Sequence, residues 1–357
     1  MSVFVIAEAG VNHNGSLDLA RRLIDAAAAA CADAVKFQTF RASAVVSWHA
    51  RKAEYQERTT GASEGQLEMI KRLELSESDH RTLIDHARGA GIEFLSTPFD
   101  EQSLDMLIYD LKLRTIKVAS GEITNAPLLL RIARSGARVI LSTGMSTLAE
   151  VEAALGVLAF GMLPDAAPPS REGFNVAFKS EAGRALLHDR VILLHCTTEY
   201  PATLDEVNLR AMDTMRAAFD LPVGYSDHTE GIHVAVAAVA RGAVAIEKHF
   251  TLDRSLPGPD HKASLEPGEL TAMISAIRDV EKSLGDGVKQ PSPTEEKNCA
   301  VVRKSLVAAR EIAVGEPFTE STLTCKRPGG GISPMLYWEW LGRPAQRAYA
   351  ADELIEP

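Results

Sequence analysis

Two histidines follow successive apolar segments in the second half of the chain. His228 ends the segment GYSDH, and His249 ends AVAIEKH, one strand–helix unit later. If both segments are neighbouring parallel strands, which lie about 4.8 Å apart, the two imidazoles can share one divalent ion. Imidazole suits Mn, Fe, Co or Zn, and two protein nitrogens leave positions open for water and a substrate oxygen. The alternative is a pair of unrelated core histidines.

Two lysines lie in equally apolar segments. A barrel or sheet would bury Lys36 and Lys117, which is costly unless an anion is bound. Residues 142–144 add hydroxyl groups and a glycine N–H beside a predicted helix start, a favourable environment for phosphate or carboxylate. These features predict a phosphorylated carboxylic acid as a ligand. The alternative is that the lysines form structural ion pairs with Glu8 or Glu122, and both interpretations can hold at different stages of a reaction.

Polar residues follow every predicted strand at the same end. In chain order they are Glu8, Lys36 and Gln38, STPFD (96–100), KVASGE (117–122), STGMS (142–146), HCTTEYP (195–201), SDH (226–228) and EKH (247–249). One buried histidine or lysine at a strand end is usually structural. A complete ring of such ends indicates an active site assembled from several strands.

The elements that must position these residues are short apolar runs separated by segments of helical periodicity. The runs span residues 3–7, 34–37, 93–95, 115–118, 138–141, 191–194, 222–225 and 244–246. Alternation of this kind predicts an α/β fold with a parallel sheet, and eight units fit a (β/α)8 barrel. A doubly wound open sheet stays possible on pattern, but AEAGVNHNG after the first run is not the GxGxxG typical of such sheets.

The barrel is predicted to occupy residues 1–284. Two long excursions interrupt its rhythm, at residues 41–76 and 163–188, and loops of such length are either functional lids or tolerated insertions. The polar segment 285–297, GDGVKQPSPTEEK, predicts a linker. Residues 298–357 lack the strand–helix rhythm and are expected to form a second, small, strand-rich domain.

Composition excludes several classes of function. The chain has 357 residues and a net charge of −10, which argues against nucleic acid as the main partner. Four cysteines without metal-type spacing, and a start directly on a strand-like segment, lead us to expect a cytoplasmic protein. The longest apolar helical run is too short for a membrane span, so no membrane association is expected.

Nine motifs in order resemble the sialic acid synthase family, the nonulosonate synthases of the N-acetylneuraminate and legionaminate type. They are IAEAGVNHNGSLDLA, VKFQTF, FLSTPFD, IKVASGE, STGMST, HCTTEYP, GYSDHTEG, IEKHF and GPDHKASLEP. The resemblance covers nearly the whole chain, since RKSLVAAREIAVGEPFTESTLTCKRPGGGISP is similar to the antifreeze-like domain that follows the barrel in this family.

The resemblance implies condensation of phosphoenolpyruvate with the open-chain aldehyde of an N-acyl mannosamine-type sugar, releasing phosphate and giving a nine-carbon 2-keto acid. His228 and His249 match ligands of a divalent metal, most often Mn²⁺, with Mg²⁺ or Co²⁺ possible. The positions that match phosphoenolpyruvate-binding residues are Lys36, Thr97, Lys117, Ser120, Ser142 and Ser226. The positions that match residues around the sugar and the reacting centre are Glu8, Glu122, Tyr200 and Asp260.

Two questions stay open within this resemblance. Glu8 is the first candidate for handling the attacking water, and Glu122 is the alternative. The sugar is the second question: residues 41–76 contain no Asn, whereas N-acetylneuraminate synthases place one there, and Thr198 stands where the family's phosphate region has another. These departures favour a 2,4-diacetamido-trideoxy mannose over N-acetylmannosamine.

The resemblance also predicts the quaternary structure. Arg327, in the motif CKRPGGG, matches an arginine that reaches over the barrel mouth of a partner subunit and contacts the sugar, which implies a domain-swapped homodimer. Two rival functions stay in view. One is another phosphoenolpyruvate-dependent keto-acid synthase acting on a phosphorylated sugar, and the other is a non-catalytic carbohydrate-binding protein with an antifreeze-like module.

Overall fold

The structure is a computed structural model that describes residues 2–47, 65–164 and 168–357. Within these ranges the chain divides into two compact units, Met1–Gly285 and Asp286–Pro357. None of the described helices combines the length and apolar character that spanning a bilayer requires. The predicted excursion at residues 41–76 contains residues 48–64, which lie outside the described ranges.

The first unit is built on eight parallel strands. They are β1 (Phe4–Gly10), β2 (Ala34–Thr39), β3 (Glu93–Pro98), β4 (Thr115–Val118), β5 (Arg138–Ser142), β6 (Val191–His195), β7 (Val223–Asp227) and β8 (Ala245–His249). Hydrogen bonding connects them in the order β3-β2-β1-β8-β7-β6-β5-β4, and β3 and β4 also pack against each other. The sheet is a nearly closed barrel, which confirms the predicted (β/α)8 class and excludes the open sheet.

Helices surround the strands. In chain order they are α1 (Leu17–Ala29), α2 (Ala42–Val45), α3 (Gln66–Lys71), α4 (Glu77–Ala90), α5 (Glu101–Asp105), a π-helical turn (Met106–Asp110), α6 (Ala126–Arg134), α7 (Leu148–Met162), α8 (Arg171–Lys179), α9 (Glu181–Arg190), α10 (Ala211–Phe219), α11 (His233–Ala240) and α12 (Pro267–Ser283). Local sequence sets where they begin: Ser76 with Asp79, and Thr147 with Glu150, form reciprocal capping boxes. Their apolar faces and the outward strand residues form the main core.

The excursion at 163–188 contains a pair of helices, α8 and α9, before β6. Phe174 of α8 packs edge-on against Phe160 of α7, with ring centroids 5.2 Å apart. Gly156 of α7 permits this approach, because a Cβ there would lie 3.0 Å from the Phe174 carbonyl oxygen. The described part of this excursion is thus packed on the barrel's helical layer.

The second unit begins with helix α13 (Pro293–Val302), whose first half overlaps the predicted linker 285–297. It also contains an antiparallel pair of strands, β9 (Ser305–Ala308) and β10 (Leu323–Lys326), and a short helix α14 (Tyr337–Trp340). Isolated bridges extend the pairing at Val307–Leu354 and Ile312–Tyr349. A separate core around Leu306, Phe318 and Tyr349 stabilises this unit.

Candidate active site

The barrel interior is layered by the two-residue period of its strands. One inward-facing layer is apolar and consists of Ile6, Ala34, Leu95, Ile140, Leu194 and Ala245. Two residues further along the same strands, the inward positions become Glu8, Lys36, Thr97, Ser142, Cys196 and Glu247. The apolar layer closes the barrel floor and the next layer forms the base of a cavity of about 430 Å³ at the carboxyl ends of the strands.

Two lysines and two glutamates form a buried charge cluster at the base of this cavity. Lys36 Nζ lies 2.7 Å from Glu8 Oε2 and 3.6 Å from Glu247 Oε2, and Lys117 Nζ lies 3.5 Å from Glu247 Oε1. All four side chains are at most 5% exposed. The predicted pairing of Lys36 with Glu8 is therefore present, and with both carboxylates ionised the cluster is electrically neutral.

Hydroxyl groups from neighbouring strands orient this cluster. Lys36 Nζ donates to Thr97 Oγ1 at 3.1 Å, and Lys117 Nζ donates to Ser142 Oγ at 2.8 Å. Ser226 Oγ donates to Glu247 Oε1 at 2.9 Å. Three of the four charged groups, all except Glu8, are therefore bonded to a hydroxyl from another strand, so both ammonium groups are fixed in position before any ligand arrives.

The two carboxylates differ in protonation although both are buried. Burial raises the pKa of Glu8 to about 7, because it and the nearby Glu247 outweigh the attraction of Lys36. Burial also acts on Glu247, but Lys117 and Lys36 outweigh it and lower its pKa to about 2. Glu247 is thus the permanent counter-ion of the lysines, and Glu8 can gain or lose a proton near neutral pH.

The β1–β2 pairing shifts register between Glu8 and Gly10, and Gly10 has φ 52°. A Cβ at Gly10 would lie 3.3 Å from Glu8 Oε1 and 3.5 Å from His249 Cε1. Glycine is thus required both by the backbone conformation and by the space that Glu8 and His249 occupy.

The two histidines meet above the charge cluster, with ring centroids 5.7 Å apart. His228 Nδ1 lies 2.6 Å from the Thr197 carbonyl oxygen, which makes Nδ1 the donor and leaves Nε2 as the acceptor. Burial, the main cause in both cases, lowers the pKa of His228 to about 4 and brings the pKa of His249 well below its usual value. Both rings are therefore neutral at pH 7, the state that binds metal ions.

The pair of rings fits a divalent ion, and the evidence is stronger for His249 than for His228, whose Nε2 lies 3.2 Å from Ser226 Oγ. His249 Nδ1 is buried and has no hydrogen-bond partner within the described chain. Residues 2–47, 65–164 and 168–357 contain no group of three or more His, Cys, Asp and Glu side chains arranged to hold a metal. Any ion at this position would therefore have two protein nitrogens and would depend on water or substrate for its other ligands.

Two loop residues cover the histidines. The ring of Tyr200 lies 4.2 Å from that of His228 and 5.5 Å from that of His249, measured between centroids. Asp260 lines the same cavity, and burial raises its pKa to about 6. The loops after β6 and β8 therefore bring an aromatic ring and a carboxylate to the mouth.

A second polar corner lies at the ends of β4, β5 and β6. Ser120 Oγ accepts from the N–H of Gly144 at 3.0 Å and lies 3.2 Å from Cys196 Sγ. Thr198 Oγ1 is buried without a hydrogen-bond partner among the described residues. A Cβ at Gly144 would lie 2.3 Å from Thr198 Oγ1, so glycine allows these hydroxyls to converge.

An apolar wall forms the other side of the cavity, in the segments that follow β1, β2 and β3. It consists of Val11, Phe40, Val45, Ile70, Leu73 and Phe99. Phe40 and Phe99 pack edge-on, with centroids 6.2 Å apart. The cavity is thus divided between a charged base, a polar side and a hydrophobic side.

The structure brings together all but two of the predicted site residues in this one cavity. Glu122 does not line it; its carboxylate accepts from Asn125 Nδ2 at 2.7 Å within the turn after β4. Arg327 belongs to the second unit, is exposed, and donates through Nε to the Val302 carbonyl oxygen at 3.0 Å. Of the two candidate glutamates, Glu8 therefore lines the cavity and Glu122 does not.

Glu247 is the main site residue to which the sequence analysis assigned no role, although it stands among the polar strand ends. Two residues before His249 in β8, it has the same inward orientation, and the period of a strand was the signal that could have identified it. The same reasoning applies to Gln38, two residues beyond Lys36 in β2, which also lines the cavity. The residues of the apolar wall lie outside the strands, so no strand period in the sequence could indicate that they line the cavity.

Models of two known families match most of the chain. A model of the NeuB family matches residues 23–289, and a model of the SAF domain matches residues 303–357. The chain belongs to the NeuB family. The resemblance to the sialic acid synthases and the predicted class of enzyme, a synthase of this type, are thereby confirmed.

Two curated relatives and one solved structure are particularly similar. The chain is 52% identical to N,N'-diacetyllegionaminic acid synthase of Campylobacter jejuni, over 98% of each chain. It is 48% identical to N,N'-diacetyllegionaminic acid synthase of Legionella pneumophila, over 94% of this chain and 88% of the relative. The crystal structure of N-acetylneuraminic acid synthetase from Leptospira borgpetersenii, in complex with citrate, has a TM-score of 0.68 and 34% identity, covering 84% of this chain and 90% of that one.

Proposed function

We propose that this NeuB-family synthase condenses phosphoenolpyruvate with a 2,4-diacetamido-2,4,6-trideoxy mannose-type sugar, releasing phosphate and giving a nine-carbon 2-keto acid of the legionaminate type. The observation that supports this most directly is one cavity with two buried lysines at its base and an apolar wall at its side. The similarity to two N,N'-diacetyllegionaminic acid synthases supports the same sugar.

Phosphoenolpyruvate would bind at the base and the polar corner. Lys36 and Lys117 are already fixed by Thr97 and Ser142, and an anion would compete with Glu247 for both ammonium groups. The remaining polar groups, from Ser120, Thr198 and Ser226, lie around the same space. A ligand with several negative charges offsets the cost of burying two cations at once.

His228 and His249 would hold the divalent ion, which we propose is Mn²⁺, with Mg²⁺ or Co²⁺ as alternatives. When bound, such an ion would polarise the aldehyde oxygen of the open-chain sugar. The neutral state of both rings and the unpartnered Nδ1 of His249 support this assignment.

The chain's own residues would direct the bond changes. Carbon 3 of phosphoenolpyruvate forms a bond to the aldehyde carbon, and water adds to carbon 2 before phosphate leaves. Glu8, with a pKa of about 7, can accept a proton from that water. It can then donate the proton to the former aldehyde oxygen, which becomes a hydroxyl group. Lys36 and Lys117 act as charges that stabilise the carboxylate and the departing phosphate.

The apolar wall favours the diacetamido sugar over N-acetylmannosamine. The former carries a methyl group at carbon 6 and a second acetamido methyl, where the latter has hydroxyl groups. Phe40, Leu73 and Phe99 supply contact surface for methyl groups and leave hydroxyls without partners. A hydrophobic surface of this kind discriminates by about 1 to 3 kcal/mol for each apolar group.

The alternative function, a phosphoenolpyruvate-dependent synthase that acts on a phosphorylated sugar, is less well supported. Synthases that act on phosphorylated sugars need a second cluster of cations for the acceptor's phosphate. Among the described residues that line the cavity, the lysines and arginines are Lys36 and Lys117, and both lie at the base. The acceptor is therefore proposed to be a sugar without a phosphate group. A purely carbohydrate-binding protein would have no use for the buried lysine pair.

One assay tests the proposal. Phosphate release from phosphoenolpyruvate should require the sugar and added Mn²⁺, and kcat/KM should be at least tenfold higher for the diacetamido sugar than for N-acetylmannosamine. Exhaustive chelation should remove the activity, and Mn²⁺ should restore it. Equal rates with both sugars would contradict the acceptor assignment, and full activity after chelation would contradict the metal.

We propose in addition that the protein acts as a homodimer in which the second unit of one subunit completes the mouth of the other barrel. Met335 and Trp338 in the second unit are 83% and 76% exposed, which supports contact with another surface.

All four cysteines are free, which supports a reducing compartment such as the cytoplasm.

A further inference from the structure

Asp227 and Lys248 form an ion pair on the outer side of the barrel wall. They are register partners at the end of β7 and in β8, and Lys248 Nζ lies 3.0 Å from Asp227 Oδ2. Both side chains are completely buried. Their sequence neighbours, Ser226 and His228 on β7 and Glu247 and His249 on β8, face the cavity, so the pair itself lies outside it.

This ion pair brackets His228. Asp227 Oδ1 accepts from the Thr229 N–H at 2.9 Å and from Thr229 Oγ1 at 2.8 Å. Lys248 Nζ donates to the Thr229 carbonyl oxygen as well as pairing with Asp227. The residues immediately before and after His228 are therefore both tied to the residue immediately before His249.

The ladder of backbone hydrogen bonds does not fix His228 in the same way. The β7–β8 pairing ends at Asp227 and Lys248, so His228 lies one residue beyond it. His249 is still held by β1, because the β1–β8 pairing continues to Glu8 and His249. The His228 carbonyl oxygen accepts from the Ala202 N–H at 2.9 Å, which ties His228 to the loop after β6 and not to β8. The position of His228 relative to His249 is thus set by the side-chain contacts of the ion pair.

Stability does not explain the pair. Taking a carboxylate and an ammonium group out of water costs several kcal/mol for each ion, and well-packed apolar residues at such positions are often equally or more stable. The best-attested use of buried polar groups is to fix the relative position of the elements that carry them.

We propose that Asp227 and Lys248 are positioning residues that hold His228 at the distance from His249 that one divalent ion requires. The proposal rests on the metal site proposed above. The pair contacts neither substrate nor ion; it acts through the backbone on both sides of His228. Its loss should weaken metal binding more than it weakens the fold.

The test measures Mn²⁺ affinity directly. Titration calorimetry with Mn²⁺ alone would compare the wild-type protein with Asp227→Leu/Lys248→Met, which replaces the ion pair by apolar side chains of similar size. We expect the Kd for Mn²⁺ to rise 10- to 100-fold, the range for residues that orient metal ligands. The melting temperature measured with chelator should fall, because Thr229 loses the buried partners of its N–H, hydroxyl and carbonyl groups. The increase in melting temperature on adding Mn²⁺ should also shrink, which a loss of stability alone does not predict.

Two controls separate this inference from the metal assignment. Arg278→Met removes a 2.7 Å ion pair with Asp33, which lies just before β2 and far along the strands from the histidines; it should leave the Kd for Mn²⁺ unchanged. His249→Ala should abolish binding. If the double variant does not fold, Asp227→Asn takes its place, because it preserves shape and removes one charge.

The outcomes differ clearly. Wild-type binding that is lost in His249→Ala but unchanged in the Asp227 and Lys248 variants overturns the positioning role and leaves the metal site intact. No Mn²⁺ binding by the wild type overturns the metal site and the positioning role together. A raised Kd in these variants with an unchanged Kd in Arg278→Met supports both.

Discussion

At the scale of single residues, the two buried carboxylates of the site differ in pKa. Glu247 lies between both lysines and has a pKa of about 2, whereas Glu8 contacts Lys36 and has a pKa of about 7. The same kind of side chain therefore serves as a fixed charge in one place and as a proton carrier in the other.

The Glu8 assignment predicts a difference between two matched variants. Glu8→Gln should lower kcat by at least about 100-fold, because a positioned acid–base group contributes that much or more. Glu122→Gln should stay within a few-fold of the wild type, since Glu122 bonds to Asn125 away from the cavity. Steady-state phosphate release measures both. An inactive Glu122→Gln beside an active Glu8→Gln would reverse the assignment.

The pH dependence follows from the same residue. Glu8 must be ionised to accept a proton, and its pKa of about 7 means that acid removes the active form. The kcat/KM of the wild type should therefore fall as the pH decreases below 7, by about tenfold for each unit once well below it. This acidic limb should persist in Glu122→Gln.

Asp260 should lower stability at alkaline pH. Burial raises the pKa of Asp260 to about 6 in the folded protein. The carboxyl group therefore ionises less readily in the folded state than in the unfolded state. The free energy of unfolding consequently decreases as the pH rises through 6. Asp260→Asn should raise the free energy of unfolding at pH 8 by up to about 3 kcal/mol. Urea denaturation should show this gain disappearing towards pH 4. A gain that is independent of pH would assign the effect to packing instead.

Residue types at strand ends predicted most of this site, because the barrel gathers the carboxyl ends of all eight strands. His228, Lys36 and Lys117 could be selected since each is a polar residue in an apolar segment. Glu247 was listed as a polar strand end but was assigned no role, because His249, two residues later, is the more obvious metal ligand. The proton affinity of Glu8 depends on burial and on Glu247, and neither can be read from local sequence.

At the scale of elements, the eight strands were predictable from apolar runs, whereas several helices were not. Helices α8 and α9 lie in a polar segment with two adjacent prolines that resembles an insertion, and their order depends on contacts such as Phe160 with Phe174. The helix α13 likewise starts in a segment typical of a linker, where Ser292 and Glu295 form a capping box. Tertiary contacts and caps outweighed composition in both places.

The turn between β5 and α7 makes a prediction at this scale. Gly144→Ala would place a methyl group 2.3 Å from Thr198 Oγ1 and 2.8 Å from Ser120 Oγ, which is closer than van der Waals contact allows, so both hydroxyls must move. We expect the KM for phosphoenolpyruvate to rise at least tenfold, with a smaller effect on the KM for the sugar.

A glycine without such neighbours is the control. At Gly89 in α4, apart from the backbone of the helix itself, no atom of the described residues lies within 4 Å of the position that an alanine methyl group would take. Gly89→Ala should therefore leave both KM values unchanged and stabilise the helix by about 0.5 to 1 kcal/mol. If Gly144→Ala kept a normal KM for phosphoenolpyruvate, the corner formed by Ser120 and Thr198 would not be part of the anion site.

At the scale of the whole molecule, the chain combines a barrel that supplies the chemistry with a second unit too small to be very stable by itself. The second unit holds the loop of Arg327 firmly: Gly329 N–H donates to the Ala300 carbonyl oxygen at 2.9 Å, and Ser305 Oγ donates to the Pro328 carbonyl oxygen at 2.8 Å. The Arg327 side chain is exposed and is carried by this hydrogen-bonded loop.

The proposed dimer predicts complementation between two inactive variants. Arg327→Ala leaves the barrel intact, and His249→Ala leaves the arginine intact. If Arg327 acts on the partner subunit, a mixed dimer contains one complete site, because the intact barrel of the first chain receives the intact arginine of the second. Random exchange of equal amounts makes half of the dimers mixed, so about a quarter of wild-type activity should return.

Differently tagged chains, purified together through both tags, would establish that exchange has occurred before activity is measured. The mixed dimers should then recover about half of the wild-type rate, since one of two sites is complete, while each variant on its own stays inactive. Should purified mixed dimers remain inactive, Arg327 does not act across the dimer. An arginine acting within its own chain predicts that result, because neither chain then has both an intact barrel and an intact Arg327.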